Sequence, residues 1–253
     1  MLLAIDAGNT TTTLGVLDGR DVKAQWRLVT TRRTSDEIGL AIDGLLRLAG
    51  FEKSVLTSAI LASVVPGLDA RFQEAMKNYF GLDCPSVRYD MDLGVQVDLD
   101  IPSEVGADRL VNAVGAVELV GAPVIVADFG TAITLDVVLP GPRYVGGTIG
   151  PGLVTSVEAL FGNTSKLPKI NLTAPKKVVG RCTAECIRSG VIQGTAALID
   201  GMVGRIEKEL GLSFKVIATG GHAGTVASVS ERIERVDPAL TLIGLSCIAS
   251  RIA

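Results

Sequence analysis

The segment Ile5-Asp6-Ala7-Gly8-Asn9-Thr10-Thr11-Thr12-Thr13 returns in altered form as Ala127-Asp128-Phe129-Gly130-Thr131-Ala132-Ile133-Thr134. In both copies an apolar run ends in Asp, passes through one small or apolar residue to Gly, and continues through Thr into a second apolar run, Leu14 to Leu17 in one and Leu135 to Val138 in the other. The pattern predicts a β-hairpin with hydroxyls at its bend. Glycine lets backbone N–H groups approach a ligand, threonine adds donors, and a carboxylate at a strand end can hold a metal ion that phosphate oxygens share. A single copy reads equally well as an ordinary polar β-turn. Two copies, 122 positions apart in a chain of 253, predict a duplicated domain with a phosphate site between its halves.

With 47% hydrophobic residues, the chain has material for one large core or for two domains of about 125 residues each. A net charge of −3, a pI near 5.3 and scattered Lys and Arg leave no electrostatic footprint for nucleic acid or an anionic membrane. Mean hydropathy is high at +0.42, yet apolar runs such as Pro123 to Ala127 are far too short to span a bilayer. Met1 leads directly into the first strand without the basic flank of a signal peptide, so a cytoplasmic protein is expected. Cys84, Cys182, Cys186 and Cys247 form no Cys-x-x-Cys pair, and the single histidine, His222, leaves too few ligands for a transition metal. Buried reduced thiols are expected.

Along the chain, Val22 to Val29 reads as a third strand carrying Trp26, and Thr34-Ser35-Asp36-Glu37 supplies a capping box for a helix to Ala49, with Ile38, Ile42, Leu45 and Leu46 as its apolar stripe. Leu56 to Val65 reads as a strand, Pro66 to about Phe80 as a helix ended by Gly81, and Ser86 to Tyr89 as a short strand. Asp90 to Pro102 is an aspartate-rich loop leading to Glu104-Val105-Gly106-Ala107-Asp108-Arg109, where a helix begins with Leu110, Val111, Val114, Val117 and Val120 on its core face. Acids are ordinary in a first helical turn, but the helix dipole disfavours Arg there, which sets the Asp108-Arg109 pair apart from a plain solvent-facing start.

In the second half, the run Gly146 to Gly152 reads as an interruption before a helix over Leu153 to Phe161, with tight connection and ligand contact equally weighted. Asn163 to Val179 is loop-like. Thr183 to Leu210 reads as one long helix whose Gly190, Gly194, Gly201 and Gly204 predict close helix packing. Val216 to Ala223 is a strand feeding a glycine turn, with His222 as a polar loop residue, and Leu240 to Ile252 closes the chain as a helix.

The β-β-β-α-β-α-β order of the first half resembles the ribonuclease-H-like half-domain of the actin and sugar-kinase superfamily. Taken together, Asp6-Ala7-Gly8-Asn9-Thr10, Gly106-Ala107-Asp108-Arg109, Asp128-Phe129-Gly130-Thr131, Gly146-Gly147-Thr148 with Pro151-Gly152, and Thr219-Gly220-Gly221 resemble the type III pantothenate kinases, as do Lys166-Leu167-Pro168 and Gly180-Arg181-Cys182-Thr183. The resemblance covers the whole chain. It implies an α/β fold of two duplicated domains, 1–117 and 118–253, with mixed sheets flanked by helices and a cleft between them. It also implies phosphorylation of pantothenate by ATP, the first step of coenzyme A synthesis, in a homodimer that uses Mg²⁺ and either K⁺ or NH₄⁺.

Residue by residue, the resemblance makes Asp6, Ala7, Gly8, Asn9, Thr10, Thr11, Thr12 and Thr13 the first phosphate loop for ATP, with Asp6 near Mg²⁺, and Thr131 a nucleotide-phosphate contact. Asp128 would hold the monovalent cation. Gly106, Ala107, Asp108 and Arg109 match the pantothenate segment, with Asp108 as the base, and Thr183 matches a substrate contact near the dimer interface. Two positions depart from the family pattern. Leu99-Asp100-Ile101-Pro102 stands where many members have Tyr-Asp-Asn-Pro, and Cys182 replaces an Asn before Thr183. Two other readings use the same motifs: a non-catalytic regulatory homologue, against which the joint presence of Asp6, Asp108 and Asp128 argues, and a related kinase or phosphohydrolase with another acceptor.

Overall fold

The computed structural model of the protein describes residues 1–162 and 170–252, with the side chains of residues 161 and 162 excepted. The Lys166 to Pro168 signature lies outside the described residues. The chain divides into two units, Met1–Glu118 with Ala239–Ala253, and Leu119–Pro238.

The first unit opens with β1 (Leu2–Ala7), β2 (Thr11–Asp18) and β3 (Asp21–Val29), an antiparallel meander. The helix α1 (Ser35–Leu48) follows, started by the expected capping box: the Glu37 amide donates to Thr34 Oγ1 at 3.2 Å and the Thr34 amide donates to Glu37 Oε2 at 2.8 Å. Next come β4 (Ser58–Ser63), parallel to β1, and α2 (Leu68–Ala75). The sheet order is β3-β2-β1-β4. Ile38, Ile42, Leu46 and Phe72 from the helices pack with Leu3, Ile5, Leu14, Val16 and Leu61 of the sheet in one core.

Several boundaries move relative to the sequence pattern. β4 is shorter than Leu56 to Val65 because residues Lys53–Val55 form a 3₁₀ turn before it. The helix after Pro66 starts late, since Gly67 takes a left-handed φ of 78°, and its last stretch, Met76–Phe80, widens into a π turn. The strand expected over Ser86 to Tyr89 is a single bridge between Ser86 and Leu61. Pro85 has no N–H to extend the ladder, and Arg88 and Asp90 pair with each other instead. Within the aspartate-rich loop lies β5 (Gln96–Val97), two residues long, and α3 (Ala107–Val120) then runs with Leu110, Val111 and Val114 buried.

The second unit repeats the plan. Here β6 (Val124–Phe129), β7 (Ala132–Leu139) and β8 (Arg143–Pro151) form an antiparallel meander. Two helices, α4 (Leu153–Gly162) and α5 (Thr183–Leu210), precede β9 (Lys215–Thr219), which is parallel to β6. A short α6 (Ala223–Ala227) and β10 (Arg235–Val236), parallel to β9, complete it, so the strands within this unit run β10-β9-β6-β7-β8. The glycine run from Gly146 is thus part of a strand and not an interruption. Gly147 makes this possible: a Cβ there would lie 1.7 Å from the Leu135 carbonyl oxygen, so only glycine lets β8 lie this close to β7.

The last helix, α7 (Leu240–Ala249), returns to the first unit, although the sequence pattern assigns 118–253 to one domain. Two glycines explain the placement. A Cβ on Gly244 would meet the Val111 carbonyl oxygen at 2.0 Å, and one on Gly115 would meet that of Leu240 at 2.6 Å, so α7 and α3 touch backbone to backbone. Thr241 Oγ1 reaches Asn112 Oδ1 at 2.7 Å, and Ser246 Oγ donates to the Gly19 carbonyl at 2.5 Å.

The cysteines correct another expectation. Cys84 is buried, and burial pushes its thiol pKa up to about 12, but Cys247 is half-buried and Cys182 and Cys186 are exposed. The glycines of α5 also differ from expectation: Cβ atoms at Gly190, Gly194, Gly201 and Gly204 would meet nothing within 4 Å, so no helix of this chain packs closely on them among the described residues.

Candidate active site

In the first unit the hairpin register decides which side chains of the motif point outward. Asp6 lies directly opposite Thr13, and Ala7 opposite Thr12. Side chains alternate along a strand, so Asp6, Thr11 and Thr13 share one face while Ala7 and Thr12 share the other. That second face is the core side: Ala7 is fully buried and Thr12 is 4% exposed. Asn9, Thr10 and Thr11 are exposed at the bend, and the Gly8 amide closes it by donating to the Thr11 carbonyl at 3.1 Å.

Thr30, just past β3, is a loop contact that the sequence pattern does not single out. Its hydroxyl donates to the Gly8 carbonyl at 2.7 Å and lies 2.9 Å from Thr12 Oγ1, and its amide donates to the Thr10 carbonyl at 3.0 Å. Its signal was available in the register, because extending the β2–β3 pairing of Thr11 with Val29 by one step sets Thr30 opposite Thr10.

The second unit gathers its own motif residues. Asp128 lies opposite Thr134 on β7 and beside Thr219 on β9. Gly220, at φ 94°, sits so close that a Cβ would meet Asp128 Oδ1 and the Phe129 carbonyl oxygen, both at 2.6 Å. The Thr131 carbonyl is held by the Gly152 amide at 3.1 Å and by Thr155 Oγ1 at 2.9 Å. Gly152 is required there, since a Cβ would lie 2.5 Å from both the Gly130 and Thr131 carbonyl oxygens. Three separate blocks of sequence therefore converge at the β6–β7 bend: Asp128 to Thr131, Pro151-Gly152 and Thr219-Gly220. Thr183 is exposed as the first residue of α5, where Gly180 folds back on the first turn so tightly that a Cβ would meet the Cys186 amide nitrogen at 2.4 Å.

Asp108 stands in the first turn of α3. Its Oδ1 accepts from the Arg109 amide at 2.8 Å and approaches Gly106 so closely that a Cβ there would lie 2.5 Å from it. The same absent Cβ would lie 3.4 Å from Val64 Cγ1, and the Val64 amide donates to the Ala7 carbonyl at 3.2 Å. Asp108 is thereby set at the end of β4, on the edge of the sheet where the Asp6 strand ends. Burial raises the Asp108 pKa above the ordinary carboxylate value, opposed by the Arg109 amide and the Arg109 charge. Arg109 itself buries its Nη2.

Among the described residues no three His, Cys, Asp or Glu side chains cluster as a metal cage. Asp6 and Asp128 are instead single carboxylates at strand ends beside glycine bends. A lone carboxylate such as that of Asp6 suits Mg²⁺, which keeps several waters and binds through one or two carboxylates plus the oxygens of a substrate phosphate.

Two α/β units of like topology, each with an Asp-Gly-Thr bend at the end of its first strand, define the fold of the actin and sugar-kinase superfamily. A hexokinase of the ROK type from Thermus thermophilus shares this fold, with a TM-score of 0.50 at 15% identity over 100% of this chain and 99% of the other. A structure from Campylobacter jejuni described as a Baf family transcriptional activator gives a TM-score of 0.62 at 19% identity, covering 99% of this chain and 98% of that one; at such identity the likeness concerns the fold alone. The sequence comparisons are more specific than the fold. Residues 2–205 match the type III pantothenate kinase family, and the type III pantothenate kinase of Myxococcus xanthus (strain DK1622) is 45% identical over 99% of this chain and 98% of its own length. The chain belongs to the type III pantothenate kinase family.

The raised pKa of Asp108 has a consequence for stability. A carboxyl whose pKa is higher folded than unfolded contributes stability below its unfolded pKa, and that contribution is lost as pH rises through the folded value. Above its folded pKa the ionised, half-buried Asp108 therefore carries a desolvation cost that Asn lacks, while the Asn Oδ1 still accepts from the Arg109 amide. Asp108→Asn is expected to melt at or above the parent at neutral pH, with the gap closing as pH falls toward about 4. Thermal melts across this range measure it. A variant that melts well below the parent at neutral pH shows the carboxylate to be a structural anchor.

Proposed function

We propose that the protein transfers the γ-phosphoryl group of ATP to the hydroxyl of pantothenate, giving 4′-phosphopantothenate, the first step of coenzyme A synthesis. Family membership supports the acceptor, and one observation carries the chemistry: the half-buried Asp108, held by Gly106 and the Arg109 amide at the strand-end edge where Asp6 stands. Asp108 accepts the proton of the pantothenate hydroxyl as that oxygen attacks the γ-phosphorus and the bond to the β-phosphate oxygen breaks, so ADP leaves. Phosphoryl transfer of this kind depends mostly on positioning and charge neutralisation, so the base chiefly orients the hydroxyl and takes its proton late. Arg109 supplies the positive charge beside it. Mg²⁺, held at Asp6, would neutralise the phosphate oxygens that the Asp6 to Thr13 loop binds, and Thr131 is proposed as the nucleotide-phosphate contact of the second unit. This reading places the protein in the cytoplasm with its two substrates, and no helix among the described residues is long and apolar enough to cross a membrane.

ATP consumption with and without pantothenate tests the assignment. A kinase consumes ATP only with the acceptor present; a hydrolase ignores it, and a regulator is silent in both. With the acceptor, Asp108→Asn should lower kcat by about 10²–10⁴. A kcat within a few-fold of the parent, with only KM raised, makes Asp108 a binding residue.

Asp128 is proposed to hold K⁺ or NH₄⁺. A carboxylate facing phosphate oxygens is repelled unless a cation sits between them, and Thr219 and Gly220 pack beside Asp128 in this unit. Replacing Na⁺ by K⁺ should raise the turnover rate. An unchanged rate makes Asp128 a second Mg²⁺ ligand or a structural residue.

The active form is proposed to be a homodimer closing over the pantothenate pocket. Gly190 and Gly194 of α5 border a groove whose apolar walls include Ile149, Leu160 and Leu198, which are 67%, 43% and 53% exposed. A second copy of this face would bury it, and Thr183 starts the same helix. Because a Cβ at Gly190 meets nothing within 4 Å among the described residues, Gly190→Leu should leave the fold intact. In sedimentation at micromolar concentration the parent should run as a dimer and Gly190→Leu toward the monomer, with weaker pantothenate affinity. A fully active monomer overturns the dimer.

A further inference from the structure

The hydrogen bonds around Thr30 have a definite direction. A carbonyl oxygen only accepts, so the single hydroxyl proton of Thr30 goes to Gly8, 2.7 Å away. The contact between Thr30 Oγ1 and Thr12 Oγ1, at 2.9 Å, must then be donated by Thr12. The result is a relay, Thr12 to Thr30 to Gly8, running from the buried face of β2 to the bend. Thr12 thus spends its only proton inside the unit, which separates it from Thr10, Thr11 and Thr13 as a source of donors for an anion.

The relay also fixes a peptide plane. The carbonyl of Gly8 and the amide of Asn9 belong to one planar trans unit and point in opposite directions. With the Gly8 carbonyl turned toward Thr30, the Asn9 N–H is turned away from β3. The Thr30 amide, donating to the Thr10 carbonyl at 3.0 Å, holds the other side of the same bend. Gly8 and Thr10 thus have both their carbonyls tied to one residue that lies outside the motif.

We propose that Thr30 is a positioning residue for phosphoryl transfer: it pins the Gly8 and Thr10 carbonyls so that the bend presents the Asn9 amide to a nucleotide phosphate. The proposal rests on the reading of this bend as a phosphate loop and goes beyond it, because it assigns the loop's geometry to a residue just past β3, outside the motif. Thr30 touches no substrate itself.

Thr30→Val keeps the shape and removes the hydroxyl, while Thr30→Ser keeps the hydroxyl. Binding of a non-hydrolysable ATP analogue with Mg²⁺, measured by calorimetry on the full chain, reads the loop without relying on turnover. Thr30→Val is expected to weaken binding about tenfold, the scale of one lost hydrogen bond near a charged group, and Thr30→Ser to bind like the parent. In steady state the same variant should raise KM for ATP while leaving KM for pantothenate within about twofold, a split that a general loss of stability does not produce. Equal analogue affinity for the parent and Thr30→Val overturns the positioning role and leaves the kinase reading standing. So does a Thr30→Ser variant as impaired as Thr30→Val, since the hydroxyl is then not what matters. A parent that turns over ATP with an acceptor other than pantothenate, yet shows the Val and Ser pattern, supports Thr30 and overturns the acceptor. A parent that binds no nucleotide overturns both.

Discussion

The register of two antiparallel hairpins is the constraint on which the rest of the structure depends. Pairing Asp6 with Thr13 and Asp128 with Thr134 puts a carboxylate and a hydroxyl side by side on one face at the end of each first strand. A slip of one residue would turn every side chain in the hairpin to the opposite face. Asp6 would enter the core now filled by Ala7, and the hydroxyls would follow it. Burial of Leu3, Ile5 and Ala7 in the first unit, and of Ile125, Ala127 and Phe129 in the second, therefore fixes the functional face as much as it stabilises the fold.

Glycine does a different job at these bends from the one usually associated with turns. Gly106, Gly152 and Gly220 matter for what a side chain would strike: the Asp108 carboxylate, the Thr131 carbonyl and the Asp128 carboxylate. Gly106 lets the Asp108 carboxylate fold back on its own helix start, while Gly152 and Gly220 let separate segments approach the β6–β7 bend to within a distance no Cβ permits. The bend of the second unit is consequently assembled from pieces far apart in sequence, and those two glycines mark where the pieces meet.

Most of this was legible in the sequence. The repeated pattern of Asp, one residue, Gly and then Thr located both hairpins, the capping box located α1, and the glycines at 106, 152 and 220 stood out as blocks in the sequence. What stayed hidden depended on contacts distant in the chain. Gly147 looked like a break because its reason for being glycine, the Leu135 carbonyl, lies on another strand. The last helix looked like part of the second half because Gly115 and Gly244 show their mutual fit only in three dimensions. Thr30 was missed since it sits at an unremarkable strand end, and its partners are set by pairing and not by spacing. Departures such as the π turn over Met76–Phe80 leave no periodic trace to read.

The return of α7 to the first unit has a consequence for how the chain is made. The second unit, Leu119–Pro238, is continuous and can collapse as soon as it emerges from the ribosome. The first unit waits longer: its α3 lacks the backbone partner at Gly115 until Leu240–Ala249, which follows the second unit in the chain, is translated. The unit that carries both Asp6 and Asp108 is therefore completed only after the second unit has been synthesised, although its strands precede that unit in the chain, and the nascent chain carries α3 without its partner helix for that whole interval.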